Sequence, residues 1–292
     1  MARRRYNPSA MDAAPAERWS RQRFAALLAR PEDDIDLAEA ALLIACEEYP
    51  ELDPAGYLER LDTMGAVMAT RLSAVSEAEA AAATLADFLF REEGFHGNTE
   101  AYYDPRNSFL NEVLDRRTGI PITLSAVYME VARRAGLPVV GVGLPGHFVV
   151  KLVGADREVI VDPFHEGALL SEAQCQARLD RIFAGRVKME PRMLEAVSPR
   201  QILERMLRNL KAIYVKEQDH PRSLAVLELL LVLGPGSLED LRDRGLVYAA
   251  MDCYGLALRD LEAVAARGGP ARRSPELLSA IEALRHKAAR VN

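Results

Sequence analysis

Residues 118–167 read TGIPITLSAVYMEVARRAGLPVVGVGLPGHFVVKLVGADREVIVDPFHEG, and this stretch decides the fold. Pro121 suits the first turn of a helix, where a missing N–H costs nothing. Apolar residues then recur at helical spacing to about Ala135, and Gly136 with Pro138 stops the helix. Residues 139–142, 148–153 and 159–161 are short runs rich in β-branched side chains, which predicts strands. They pair most simply as an antiparallel sheet packed on the Pro121 helix. His147 opens one strand and Asp162 closes the next. A two-residue turn at Gly154 and Ala155 would set His147 directly opposite Asp162; a four-residue turn would set Asp162 opposite Val149. Either way the imidazole and the carboxylate share one end of adjacent strands.

Outward from that stretch, the sequence is helical on both sides. Apolar residues recur at helical spacing at Trp19, Phe24, Leu27 and Leu28, and again at Leu37, Ala40, Ala41 and Ile44. Tyr57, Leu61, Met64 and Met68 mark a third helix, and Leu85, Phe88 and Leu89 a fourth. Gly94-Phe95-His96-Gly97-Asn98 and Asp104-Pro105-Arg106-Asn107-Ser108 read as loops. After Ala168 the pattern is helical again, beginning at Ser171-Glu172, and Pro191 and Pro199 bracket a link.

Beyond Pro199 the sequence repeats with a period of 34 residues. Tyr214 and Tyr248 correspond, as do Ser223 and Ala257, Leu227 and Leu261, and the breakers Pro235 and Gly269-Pro270. Small residues let paired helices approach, and the tyrosine and leucine fill the seam. Gly245 occupies the small position of the second unit's first helix, whereas Lys211 stands there in the first unit. This period resembles the tetratricopeptide repeat, with residues 275–290 as a capping helix. The organisation expected is α+β: a disordered segment over 1–15, a helical segment over 16–93, a core over 94–190 and helical repeats over 199–292.

Composition narrows the function. With 49% apolar and 27% charged residues the chain is an ordinary globular one. The formal net charge of −6 disfavours nucleic acid as a partner. Cys46, Cys175 and Cys253 lie far apart, without metal-binding spacing and in a number that suits a reducing compartment. No apolar run approaches the length of a bilayer span, and the basic N-terminus lacks the apolar core of a secretory signal. No membrane association, no cofactor and a cytoplasmic location are the expectations.

Five motifs together resemble the SirB-type bacterial proteins, which join a helical N-terminal part, a transglutaminase-like core of the papain-like fold and tetratricopeptide repeats. They are Gly94-Phe95-His96-Gly97-Asn98, Asn107-Ser108-Phe109-Leu110, Gly119-Ile120-Pro121-Ile122-Thr123-Leu124-Ser125, Pro145-Gly146-His147-Phe148 and Asp162-Pro163-Phe164. In transglutaminase-like cores a cysteine at the helix start attacks an acyl carbon. The helix dipole lowers its pKa, a histidine is the base and an aspartate orients it. Here the helix opens Gly119-Ile120-Pro121, and proline stands where the cysteine belongs.

Three readings stay open. The first is a pseudoenzyme, a transglutaminase-like protein without the nucleophilic cysteine that binds or regulates another protein or peptide through its repeats. The second is an atypical acyl transferase or amide hydrolase in which Ser125 or Thr123 acts with His147 and Asp162. The third is a metal site at His147, Asp162, His165 and Glu166, whose residue types all suit cations. Structural roles compete with each: hydroxyls bonding within the helix, a histidine in a Pro-Gly turn, an Asp-Pro strand end.

Overall fold

The computed structural model describes residues 15–154, 157–267, 269 and 274–291. The expected disordered segment lies outside these residues, apart from Pro15, which starts a helix. So do Ala155 and Pro270. The chain divides into two compact units, Ala26–Met206 and the remainder.

The helices α1 (Pro15–Leu28), α2 (Leu37–Ala45), α3 (Pro54–Leu72) and α4 (Ala78–Ala86) come first. Asp36 caps α2 by accepting from Glu39 N at 2.8 Å, and Asp53 caps α3 through Ala55 N at 3.1 Å. Every residue of α2 except Glu39 is buried, as its otherwise Leu-Ala-Ile composition requires. Trp19 does not join a core and is half exposed. Helix α4 continues as a π-helical turn over Asp87–Glu92.

The stretch expected to be a loop at Gly94–Asn98 contains strand β1 (His96–Gly97). It follows a glycine at φ 76° and pairs in parallel with β2 (Thr118–Gly119), after α5 (Leu110–Arg116). Parallel pairing of two residues so far apart in sequence leaves no local signal, which is why the sequence does not announce it.

Helix α6 (Pro121–Arg134) is buried along most of its length, without a break from Pro121 to Tyr128. It packs on α3 and on strands β3 (Val139–Val142) and β4 (Val149–Val153). These strands continue with β5 (Glu158–Asp162) and β6 (Ala168–Leu170), followed by α7 (Glu172–Phe183) and β7 (Ala196–Val197). The sheet has the order β6-β5-β4-β3-β7 with every pair antiparallel. The three expected strands are its centre. Strands β6 and β7 are additions, short edges whose pairing compensates for weak local propensity. Val150 pairs with Val161 and Val153 with Glu158, so the β4–β5 connection follows the four-residue alternative and carries Asp162 toward Val149.

The second unit holds α9 (His220–Leu233), α10 (Leu238–Ala250), α11 (Tyr254–Arg267) and α12 (Pro275–Val291), together with α1 as far as Ala25 and α8 (Pro199–Glu217) from Leu207. The corresponding repeat positions behave alike: Tyr214, Tyr248, Ser223, Ala257, Leu227 and Leu261 are all buried. A Cβ on Gly245 would come within 2.8 Å of Leu261 Cγ, so α10 and α11 approach as closely as the glycine allows. Lys211 departs from this pattern by carrying its ammonium to α10. Nζ lies 3.0 Å from Asp240 Oδ1 and 2.6 Å from Asp243 Oδ2, which neutralises a side chain that is otherwise buried.

Candidate functional site

Asp162 is the centre of the site. It is fully buried at the end of β5, and both of its oxygens are engaged. Oδ1 accepts from the backbone N–H of Phe164 at 3.1 Å and of His165 at 3.3 Å, capping the 3-10 turn Pro163–His165. Oδ2 faces three side chains: His147 Nε2 at 2.8 Å, His165 Nδ1 at 2.9 Å and Arg178 Nη2 at 2.9 Å. Burial alone would push this carboxyl up. The bond from His147 and the charges of His147, His165 and Arg178 outweigh burial and hold it below the usual aspartate range.

An ionised carboxylate only accepts, so each imidazole nitrogen facing it carries a hydrogen. Neutral His147 is therefore the Nε2–H tautomer, with its lone pair on Nδ1. Neutral His165 has its lone pair on Nε2. The backbone anchors His147 as well. Its N–H donates to Leu144 O at 3.2 Å, and its carbonyl accepts from Arg205 Nη2 at 2.7 Å. Nδ1 makes no hydrogen bond to the described residues.

Aromatic rings wall the imidazole. Phe164 stands edge-on to His147 with centroids 6.2 Å apart, and Tyr102 stands edge-on to Phe164 at 6.0 Å. The turn bearing Phe164 packs on β1 and α6, and a Cβ on Gly97 would lie 2.7 Å from both the ring and the carbonyl of Phe164. The Gly-Phe-His-Gly-Asn motif thus supplies the flat backbone under that turn. Its Asn98 Nδ2 donates to Asn107 Oδ1 at 3.1 Å, while Asn107 Nδ2 reaches Ala101 O at 2.8 Å.

The expected site residues separate into two groups. The structure brings together His147, Asp162 and His165, whose ligand atoms lie within 4.8 Å of one another. In this arrangement those atoms bond among themselves, and the Arg178 guanidinium shares the same oxygen. Glu166 is exposed in left-handed backbone and belongs to the turn. Thr123 and Ser125 are buried on α6, and neither bonds to His147. Thr123 Oγ1 donates to Asn107 O at 2.7 Å and accepts from Ile120 N at 3.1 Å, tying the motif loop to the helix start. Ser125 Oγ is buried without a partner among the described residues. Pro121 holds the first position of α6 and is buried. Cys175, packed among Val142, Leu144, Val149 and Ile160, is fully buried, and burial raises its pKa above the ordinary thiol value.

Arg178, Arg205, Tyr102 and Phe164 were not anticipated as site residues. Arg178 sits on an amphipathic helix with other charges, where nothing marks it. Arg205 lies on α8 (Pro199–Glu217), where nothing in the sequence marks it either.

The pattern of the transglutaminase-like superfamily matches residues 55–208, and that of the tetratricopeptide repeat matches residues 210–285. The chain is 36% identical over 234 residues to a "UPF0162 protein" of Xylella fastidiosa strain Temecula1, covering 79% of this chain and 83% of that one. The "UPF0162 protein PA3419" of Pseudomonas aeruginosa is 33% identical over 229 residues, 77% of this chain and 82% of its own. For the "UPF0162 protein YchA" of Escherichia coli K12 the identity is 28% over 225 residues, 75% and 82% of the two chains. No solved structure matches. The sheet on its buried helix and the repeat array agree with these matches, and the chain belongs to the UPF0162 family of the transglutaminase-like superfamily.

Proposed function

We propose that this protein is a non-hydrolytic member of its superfamily that engages another protein or peptide through its repeat unit. The observation that carries the reading is at the start of α6. Pro121 has no nucleophile to offer, Thr123 is committed on both its donor and acceptor sides, and Ser125 is shut in the core. A hydroxyl becomes nucleophilic only with a base in hydrogen-bond reach, and His147 bonds to Asp162 rather than to either hydroxyl. A cation at His147, Asp162 and His165 is disfavoured by the hydrogens on both facing nitrogens and by Arg178.

The repeat unit supplies the docking surface. A groove of 470 Å³ runs between its helices, lined by Lys211, Val215, His220, Leu227, Leu246 and Val247. Val215 and Leu246 expose about half of their surface, and both line this groove. Apolar anchors with a charged rim suit a helical or extended peptide.

A photo-cross-linking residue placed at Val215 or Leu246 tests this reading. The expected result is one discrete adduct, competed away by the purified partner and absent when the cross-linker stands at Glu262. Equal labelling from all three positions would contradict it. The hydrolytic alternative is tested separately by His147→Ala, which should leave amide and ester hydrolysis at the uncatalysed background seen with the intact protein.

A further inference from the structure

The groove of the repeat unit holds a hydroxyl that the fold leaves unsatisfied. Helices α8 and α10 supply the groove's walls, and α9 supplies its floor, where Ser223 and Leu227 are buried. A serine inside a helix can donate to the carbonyl one turn back. Ser223 does not. Its Oγ is buried without a partner among the described residues, and the Asp219 carbonyl accepts only the Ser223 N–H, at 2.9 Å. A hydroxyl buried in this way costs free energy until a ligand supplies a partner.

The kind of partner follows from backbone chemistry. A helix lying in the groove uses its own N–H and C=O groups internally. An extended segment keeps both free, and a serine hydroxyl can donate to one or accept from the other.

The charged groups of the groove differ in how fully they are engaged. Lys211 Nζ lies 3.0 Å from Asp240 Oδ1 and 2.6 Å from Asp243 Oδ2, and Arg208 Nη2 donates to Asp240 Oδ2 at 2.7 Å. Both cations are thus held by acids of α10. Glu239 is different. Its carboxylate is largely exposed, and the cations facing it, Lys211 Nζ and Arg208 Nη1, stand 3.8 and 3.9 Å away, beyond hydrogen-bond range. It is open to a basic side chain from a ligand. The net charge of −6 on the whole chain draws the same kind of partner.

Spacing sets the pattern of that partner. Glu239 and Leu246 both line the groove, two turns apart on one face of α10 and so separated by about 10 Å. Val215 and Leu246, half exposed on the two walls, are the apolar anchors. An extended chain covers about 10 Å in roughly three residues.

We propose that the groove takes an extended peptide segment with an aliphatic and a basic side chain three positions apart. The aliphatic residue seats between Val215 and Leu246, the basic one meets Glu239, and the segment's backbone bonds to Ser223 Oγ. The inference rests on the reading of the repeat unit given above and names the chemistry of its ligand.

The test is NMR titration of the full chain with ¹³C-methyl-labelled valine and leucine. The probes are blocked hexapeptides in a glycine–alanine background. One carries leucine and lysine three positions apart. A second has glutamate for the lysine, and a third has alanine for the leucine. A longer alanine-rich helical peptide with leucine and lysine seven positions apart spans the same distance as a helix. The leucine–lysine hexapeptide should shift the Val215 and Leu246 methyl signals saturably. It should bind about two- to fivefold tighter than the glutamate form, the scale of an exposed ion pair, and the alanine and helical forms should bind more weakly. Glu239→Gln should abolish the preference for lysine. Ser223→Ala should weaken the leucine–lysine peptide by about threefold to tenfold, the scale of one hydrogen bond. Unchanged Val264 methyl signals certify an intact repeat unit in each variant, and if Ser223→Ala fails to fold, Glu239→Gln and the peptide comparison still decide. Equal binding of the lysine and glutamate forms, tighter binding of the helical peptide, or undiminished binding by Ser223→Ala would overturn the proposal while leaving the repeat unit as the docking surface. Methyl shifts that depend on protein concentration without peptide would overturn it in favour of a second copy of this chain. No shift with any peptide would also overturn it, and cross-linking at Val215 and Leu246 then decides the reading of the repeat unit separately.

Discussion

His147 Nε2 lies 2.8 Å from Asp162 Oδ2, and the surrounding fold positions both partners. The β4–β5 register brings the strand ends together, the backbone of His147 is pinned at both its N–H and its carbonyl, and Asp162 caps the turn that supplies Phe164 and His165. One carboxylate serves as structural cap, imidazole holder and counter-ion to Arg178.

Replacing that carboxylate should therefore be costly. Asp162→Ala leaves Arg178 without its counter-charge and is expected to lower stability by about 3 kcal/mol, the usual scale for breaking a buried pair. The folded-state pKa of Asp162 is lowered, so its contribution is present above the unfolded value of about 4 and fades as pH falls through the folded value. Urea denaturation at pH 7 and at pH 3 checks this: the gap between Asp162→Ala and the parent should narrow on acidification.

The two hydroxyls on α6 should behave oppositely. Thr123→Val strands the Ile120 N–H and removes the donor to the Asn107 carbonyl, and should cost about 2 kcal/mol. Ser125→Ala removes a buried oxygen that has no partner and should be neutral or stabilising. Thermal denaturation of the two variants side by side gives the comparison.

Much of this arrangement is legible in the sequence. Strand propensity with Pro-Gly and Asp-Pro boundaries places the three central strands, and the 34-residue period places the repeats. The pairing of His147 with Asp162 follows from strand order alone. What is not legible depends on distant partners. The two-residue strands β1 and β2 have no local signature and form because the His96 N–H finds the Arg117 carbonyl at 2.8 Å. Arg178 and Arg205 look like ordinary helix-surface cations until the fold brings them to the site. Lys211 breaks the repeat pattern in sequence, and only the acidic residues of α10 explain how it is accommodated.

The glycine of β1 offers a further check on the site. Gly97→Ala would press a methyl group against Phe164 and its carbonyl, and should destabilise by about 1–3 kcal/mol, as overpacking does. Gly56→Ala is the control. Its added methyl meets nothing within 4 Å, and in a helix it should stabilise by roughly 0.5 kcal/mol. Equilibrium unfolding of both variants measures the contrast.

In the repeat unit, Lys211→Ala should cost about 2 kcal/mol at neutral pH by leaving Asp240 and Asp243 with one cation fewer. Burial raises the Asp240 pKa, but Arg208, Ser237 and Lys211 together bring it below the usual range. The penalty is thus present at neutral pH and declines as pH falls below that range. Thermal unfolding of the parent and of Lys211→Ala, followed by circular dichroism across pH, tests this.

The most direct measurement of the central claim is the ¹⁵N spectrum of the His147 ring in the neutral form. The structure requires the hydrogen on Nε2, bonded to Asp162, with Nδ1 carrying the lone pair, and this preference should collapse to a tautomer mixture in Asp162→Ala. A hydrogen on Nδ1, or a tautomer ratio indifferent to the loss of Asp162, would contradict the account.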